Sequence, residues 1–140
     1  MRLQREDGVV AIEFALVLPI FLLIVAGIVE FGVMLYDQQI ITNASREGAR
    51  AGIIKVDPDL KLSDTQLKDS IRDNVVKPYL EAARPALASA DVIITVDGQD
   101  FGDDITVQVQ YLYDFLFLKS LKSVIPGTFH LNAITTMKHE

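Results

Sequence analysis

An apolar run beginning at residue 9 constrains this chain more than any other feature. Residues 9–29 hold one charge, Glu13, in 21 positions, and Glu30 is the only further charge before Asp37. As a helix rising about 1.5 Å per residue, residues 9–29 extend about 31 Å, the depth of a bilayer's hydrocarbon core. The run therefore reads as a membrane span. A soluble helix so uniformly apolar would need cover on every side, more than 140 residues ordinarily supply. Pro19 lies inside the run, where it removes one backbone donor, frees the Ala15 carbonyl and predicts a bend. In a membrane, neighbouring helices or a local adjustment can satisfy that carbonyl again.

From Asp37 the apolar residues thin to helical spacing. Ile41, Ala44, Gly48 and Gly52 fall three or four apart, while Gln38, Asn43, Arg46, Glu47 and Arg50 lie mostly elsewhere around the wheel. One helix is predicted over about residues 9–54, roughly 70 Å long if unbroken. It should end before Asp57-Pro58, because a residue preceding proline is pushed out of the helical region. A second helix should start near Ser63, where Ser63-Asp64-Thr65-Gln66 fits a capping box, and Leu67, Ile71, Val75 and Tyr79 continue every fourth residue. Pro78 should kink or restart this helix, and Pro85 should end it.

Beyond Ser89 the period becomes two. Val92, Ile94 and Val96 alternate with Ile93, Thr95 and Asp97; then GQDFGD leads to Ile105, Val107, Val109, Tyr111 and Tyr113, alternating with polar residues and Leu112. This predicts an antiparallel hairpin with one buried face. A last strand is expected over residues 129–137, whereas residues 114–126 fit either a short helix or an apolar loop near the membrane. The fold class is thus α+β: a long N-terminal transmembrane and amphipathic helix packed on a second helix and a small antiparallel sheet.

Composition narrows the chemistry. The formal charge is −6, and no Lys/Arg cluster is present to displace counterions from phosphates, which argues against nucleic acid. With no cysteine and only His130 and His139, there is no thiolate nucleophile and no matched metal-ligand spacing. Asp97, Asp100, Asp103 and Asp104 crowd the hairpin loop; they depart from the EF-hand spacing and read better as a solvated turn than as a calcium site. Asn43-Ala44-Ser45 fits a glycosylation sequon only by chance, being in a predicted helix. No set of nucleophile and base emerges, so the chain is read as a non-enzyme without cofactors or metal.

The most informative constellation is Gly8-Val9-Val10-Ala11-Ile12-Glu13-Phe14. A secretory signal would place its cleavage site after the apolar run. Here a polar leader, MRLQREDG, ends in glycine before it, so cutting there would leave the whole helix attached, with a new amino group on Val9 and Glu13 one turn away. Glu13 has two readings: an interfacial carboxylate at headgroup depth, or one paired with the Val9 amine of a neighbouring subunit. A lone carboxylate buried in hydrocarbon would cost on the order of 3 kcal/mol.

The leader glycine, the Glu-Phe pair, VAIEFALVLPIFLLIVAGIVEFG, the following NASREGARAG and the closing LNAITTMKHE together resemble the TadE-like minor pilins, or pseudopilins, of the Tad (Flp-type) pilus system. The first 54 residues carry most of the resemblance. It implies cleavage between Gly8 and Val9 by a prepilin peptidase, with Gly8, Val9, Glu13 and Phe14 as the processing and assembly residues. It also implies retention in the inner membrane, an extracytoplasmic C-terminal domain, and other pilin or pseudopilin subunits as partners in building adhesive pili. The expected organisation is a prepilin leader over residues 1–8, a transmembrane part over 9–36, an amphipathic extracytoplasmic part of the same helix over 37–54, and an α+β domain over 55–140.

The small residues Ala44, Gly48 and Gly52 leave one helix face almost bare, so that another backbone can approach closely. Either the chain's own sheet or a neighbouring subunit can fill that face. Arg46 and Arg50 share a side of the helix, where pairs with Glu47 or the acidic domain are open to them; most such pairs are solvated and contribute under about 1 kcal/mol. A rival reading of the whole is an uncleaved single-pass membrane protein whose outer domain binds a ligand or partner.

Overall fold

The computed structural model describes residues 3–54, 62–100, 102–116 and 129–138, with side chains from residue 8 onward. Two compact units divide the chain: Met1–Met34 with Asp114–Gly127, and Leu35–Tyr113 with Thr128–Glu140. The long helix α1, Leu3–Ile54, contributes to both. It begins about two turns earlier than the apolar run suggests, because Leu3, Gln4, Arg5 and Glu6 are good helix formers and the weaker Asp7 and Gly8 interrupt them only briefly. Pro19 sits within α1. The Asp57-Pro58 stop lies outside the described residues.

In the first unit, no residue from 8 to 29 is buried. Phe14, Leu16, Ile20 and Phe21 are all more than half exposed, and α1 is long and apolar enough to cross a membrane. Glu30 is the exception: its side chain is buried and accepts the backbone N–H of Leu116 at 2.9 Å. Most of the apolar segment 114–126 lies outside the described residues.

In the second unit, α2 (Asp64–Ile71) starts as expected at Ser63, whose hydroxyl accepts the Gln66 N–H while the Gln66 side chain accepts the Ser63 N–H. A π-helical turn, Arg72–Val76, follows and leads into α3 (Lys77–Ala83). Pro78 has no N–H and its ring would press on the Asn74 carbonyl. The turn widens instead, and Lys77 donates to the Arg72 carbonyl five residues back. This inserts one extra residue and corrects the expected stripe: after Leu67 and Ile71 the buried positions are Val76 and Leu80, not Val75 and Tyr79. Pro85 ends α3 and opens a short 3₁₀ helix, Pro85–Ser89.

The strands β1 (Asp91–Val96), β2 (Asp104–Tyr113) and β3 (Phe129–Lys138) form an antiparallel meander in the order β1-β2-β3. Val107 stands opposite Ile94 and Thr135, and Tyr111 opposite Leu131. Since side chains alternate faces along a strand, one face carries Ile105, Val107, Val109, Tyr111 and Tyr113, all buried. With Ile41 and Ala44 of α1, Leu67 and Ile71 of α2, and Leu80 and Leu87, they make the core. The fold is α+β, as the sequence implies.

The hairpin link is a hydrogen-bonded turn. Asp97 N–H donates to the Asp104 carbonyl and Asp103 N–H to the Asp100 carbonyl, each at 3.0 Å. The Asp103 carboxylate accepts the Asp100 N–H at 2.9 Å. Gly102 has φ +91°, where a side chain would be strained. Among the described residues no group of His, Asp or Glu is placed to hold a metal ion.

Candidate assembly surface

The residues singled out from sequence fall on two stretches of α1. Gly8, Val9, Glu13 and Phe14 lie within the helix and are all exposed. Val9 and Glu13, four residues apart, share a face one turn from each other. Among the described residues Glu13 makes no hydrogen bond or ion pair. A Cβ at Gly8 would meet nothing within 4 Å. Over residues 8–29 the helix is thus an apolar surface bearing one carboxylate, Glu13.

The second stretch is packed against the chain itself. A Cβ on Gly48 would come within 2.6 Å of Val76 Cγ2 and 3.2 Å of Val107 Cγ1. One on Gly52 would come within 2.9 Å of Ile105 Cδ1 and 3.0 Å of Ile71 Cδ1. Ala44 is fully buried beside them. The small residues therefore admit α2, the π turn and β2 against the helix. Because Gly52 meets Ile105 and Gly48 meets Val107, β2 runs antiparallel to this part of α1.

Polar contacts invisible to the sequence reading lock the same stretch. Ser45 is fully buried, and its hydroxyl lies 2.8 Å from both the Val107 carbonyl and the Thr135 hydroxyl. The Gln38 amide donates to the Asn132 carbonyl of β3 at 3.0 Å. Asp37, also fully buried, forms an ion pair with Arg84, whose side chain is 22% exposed. Burial alone would lower the Arg84 pKa, but the hydrogen bond and charge of Asp37 hold it above the ordinary value. The second carboxylate oxygen, Asp37 Oδ1, is buried with no hydrogen-bond partner among the described residues. Asp37 sits four residues before Ile41 and seven before Ala44, a spacing that marks it as part of the buried stripe. Its partner is 47 residues away and has no such signal.

Arg46, Glu47 and Arg50 lie on the solvent side of the helix. All three are exposed, and among the described residues none makes an ion pair. The sheet packs on the opposite side of the helix, leaving these charges in solvent, where a pair would contribute under about 1 kcal/mol. His130 is exposed on β3, and His139 lies outside the described residues.

Residues 8–50 match a protein family described as TadE-like protein. No curated protein and no solved structure matches the chain. The matched stretch opens at Gly8, includes Val9, Glu13 and Phe14, and reaches into the small-residue stripe at Ala44 and Gly48. Carried by α1 rather than by the sheet, the match supports a TadE-like protein of the Tad pilus system, the family that the sequence resembles.

Proposed function

We propose that the chain is a minor pilin, or pseudopilin, acting in the assembly of Tad pili by helix packing rather than by catalysis. A prepilin peptidase removes residues 1–8, and the mature protein stays in the inner membrane through α1 with its sheet domain outside the cytoplasm. Other Tad pilin subunits are its partners. The observation that carries this reading is Gly8, Val9, Glu13 and Phe14 at the head of an exposed apolar helix, inside the segment that matches the family.

The proposed chemistry follows from charge. Cleavage after Gly8 creates an amine on Val9, one turn before Glu13. Neither an ammonium nor a carboxylate enters hydrocarbon cheaply, but the two together neutralise each other across a subunit contact. Exposed Phe14 and the apolar side chains around it supply the packing surface.

The intact mass of the protein from its native membrane tests the proposal. The expected product starts at Val9. A product starting at Met1 would favour the uncleaved single-pass rival, and cleavage after Gly27 would indicate a secreted protein. Replacing Gly8 with a bulky residue is expected to block processing while leaving the protein in the membrane. A reporter fused after Glu140 that works only in the cytoplasm should stay silent.

A further inference from the structure

Glu30 is a buried carboxylate, 3% exposed, between two exposed apolar neighbours, Val29 at 45% and Phe31 at 57%. What covers it includes the chain just after β2: the Leu116 N–H donates to Glu30 Oε1 at 2.9 Å. This fixes the height of the Leu116 backbone on α1 at that of Glu30. The Leu116 side chain is not consumed by the contact, being 48% exposed, and Phe115 beside it is partly exposed.

The height matters because the apolar band continues past Glu30 through Phe31, Leu35 and Tyr36, all exposed. A hydrocarbon core takes about 20 helical residues, fewer than the stretch from 9 to 36 provides, so its position along the helix can slide. Placed as early as possible, over 9–28, the core ends about 3 Å short of Glu30. Placed as late as possible, over 17–36, it extends about 9 Å beyond Glu30. Every placement between puts Glu30, and Leu116 with it, inside the core or at its edge. On the membrane-anchored reading of α1, the exposed Leu116 side chain then lies near the acyl–headgroup boundary or deeper.

We propose that Leu116, with Phe115, is a second membrane-contact point that seats in the acyl–headgroup boundary, and that Glu30 serves as its tether on α1. The occupant of this apolar patch is lipid. The inference rests on the membrane-anchored reading of α1 and adds to it a contact made by the segment after β2.

The chain contains no tryptophan, so a single indole reports one position. The full-length protein is reconstituted in phosphatidylcholine–phosphatidylglycerol vesicles, with or without lipids brominated on the acyl chains close to the headgroup. Leu116→Trp is expected to lose roughly half or more of its emission to the brominated lipids, as suits an indole at the interface. Ile93→Trp, on the solvent face of β1, should lose none. Phe21→Trp, within the span, separates the two readings. If Phe21→Trp is quenched by lipids brominated deep in the chain and Leu116→Trp is not quenched by any, the second contact is overturned while the anchor stands. If neither is quenched, both fall. Blue-shifted but unquenched Leu116→Trp emission means protein cover rather than lipid, and also overturns the proposal.

Discussion

Along α1, residues 9–29 leave no side chain buried, whereas residues 37–52 bury a stripe of Asp37, Ile41, Ala44, Ser45, Gly48 and Gly52. The first stretch is apolar nearly all round and, among the described residues, is nowhere buried; the second is apolar on one side and buried there. A helix apolar all round belongs in lipid or among other helices, and one apolar along a stripe belongs on its own fold. The same contrast separates the glycines. Gly27 and Gly32 have nothing within 4 Å of a would-be Cβ, while Gly48 and Gly52 are pressed by Val76, Ile105 and Ile71. One continuous helix is thus exposed along one stretch and packed on its own fold along the other.

The sharpest way to break that division is at Glu13. The proposed role predicts that Glu13→Gln leaves a processed, membrane-inserted and stably folded protein that no longer co-purifies with other pilin subunits. Loss of one member of a buried charge pair typically costs about 3–5 kcal/mol, a drop in association of at least a hundredfold. Normal piliation with only this variant present would return Glu13 to the headgroup reading.

At the other end, Arg84→Ala should act on folding alone. It strands Asp37, fully buried, without its counter-ion, at an expected cost of about 3–5 kcal/mol in denaturant unfolding of the detergent-solubilised protein. Asp37→Ala should cost less, because Arg84 keeps some access to water. Equal losses would show that the two side chains are buried alike.

The glycines sharpen the comparison further. Gly48→Ala forces Val76 or the helix to move and should destabilise by about 1–3 kcal/mol. Gly27→Ala, with open space around it, should be neutral or slightly stabilising by helix propensity. Ser45→Ala removes the donor to the Val107 carbonyl and should cost about 1 kcal/mol, readable as a small shift in unfolding midpoint at unchanged slope.

The smallest effect is electrostatic. A hydrogen bond from Arg72, helped by one from Lys77, holds the exposed Asp73 carboxyl below its ordinary pKa. A lowered native value contributes stability that is complete above the unfolded-chain value of about 4 and is lost as pH falls through the native one. Asp73→Asn should therefore lower stability slightly above about pH 4 and hardly at all in strong acid, where the carboxyl is protonated in both states, and added salt should shrink the difference.

What could be read from sequence was what short-range chemistry writes. The Ser63–Gln66 capping box, the alternation of Ile105, Val107 and Val109, and the stop at Pro85 each depend on neighbours a few residues away. The stripe 67-71-75-79 was half legible: it held until Pro78 forced a wider turn, an effect that periodicity alone does not carry. The start of α1 at Leu3 was missed because the apolar run drew the boundary and helix propensity did not. Least visible were contacts made by polar side chains over long separations. Asp37 with Arg84 spans 47 residues, Ser45 with Val107 spans 62, and Glu30 with Leu116 spans 86. The partners are the C-terminal cap of α3, a strand carbonyl and the backbone just after β2, each brought in by the fold, so no local pattern announces them. The constellation of Gly8, Val9, Glu13 and Phe14, to which the proposal gives processing and assembly, is legible for the opposite reason: its residues lie within two turns of one another along the chain.

The meander order of the strands has a consequence for the time course of synthesis. Every strand pairs with the next in sequence, so the sheet can close as soon as β3 emerges, but the inward stripe of α1 is made long before any of it exists. Ser45 waits 62 residues for Val107 and 90 for Thr135. During that interval the stripe must not stick to the wrong surface. Ala44, Gly48 and Gly52 expose little that can adhere. The residues that let the finished helix fit closely also keep the unfinished one from being greasy.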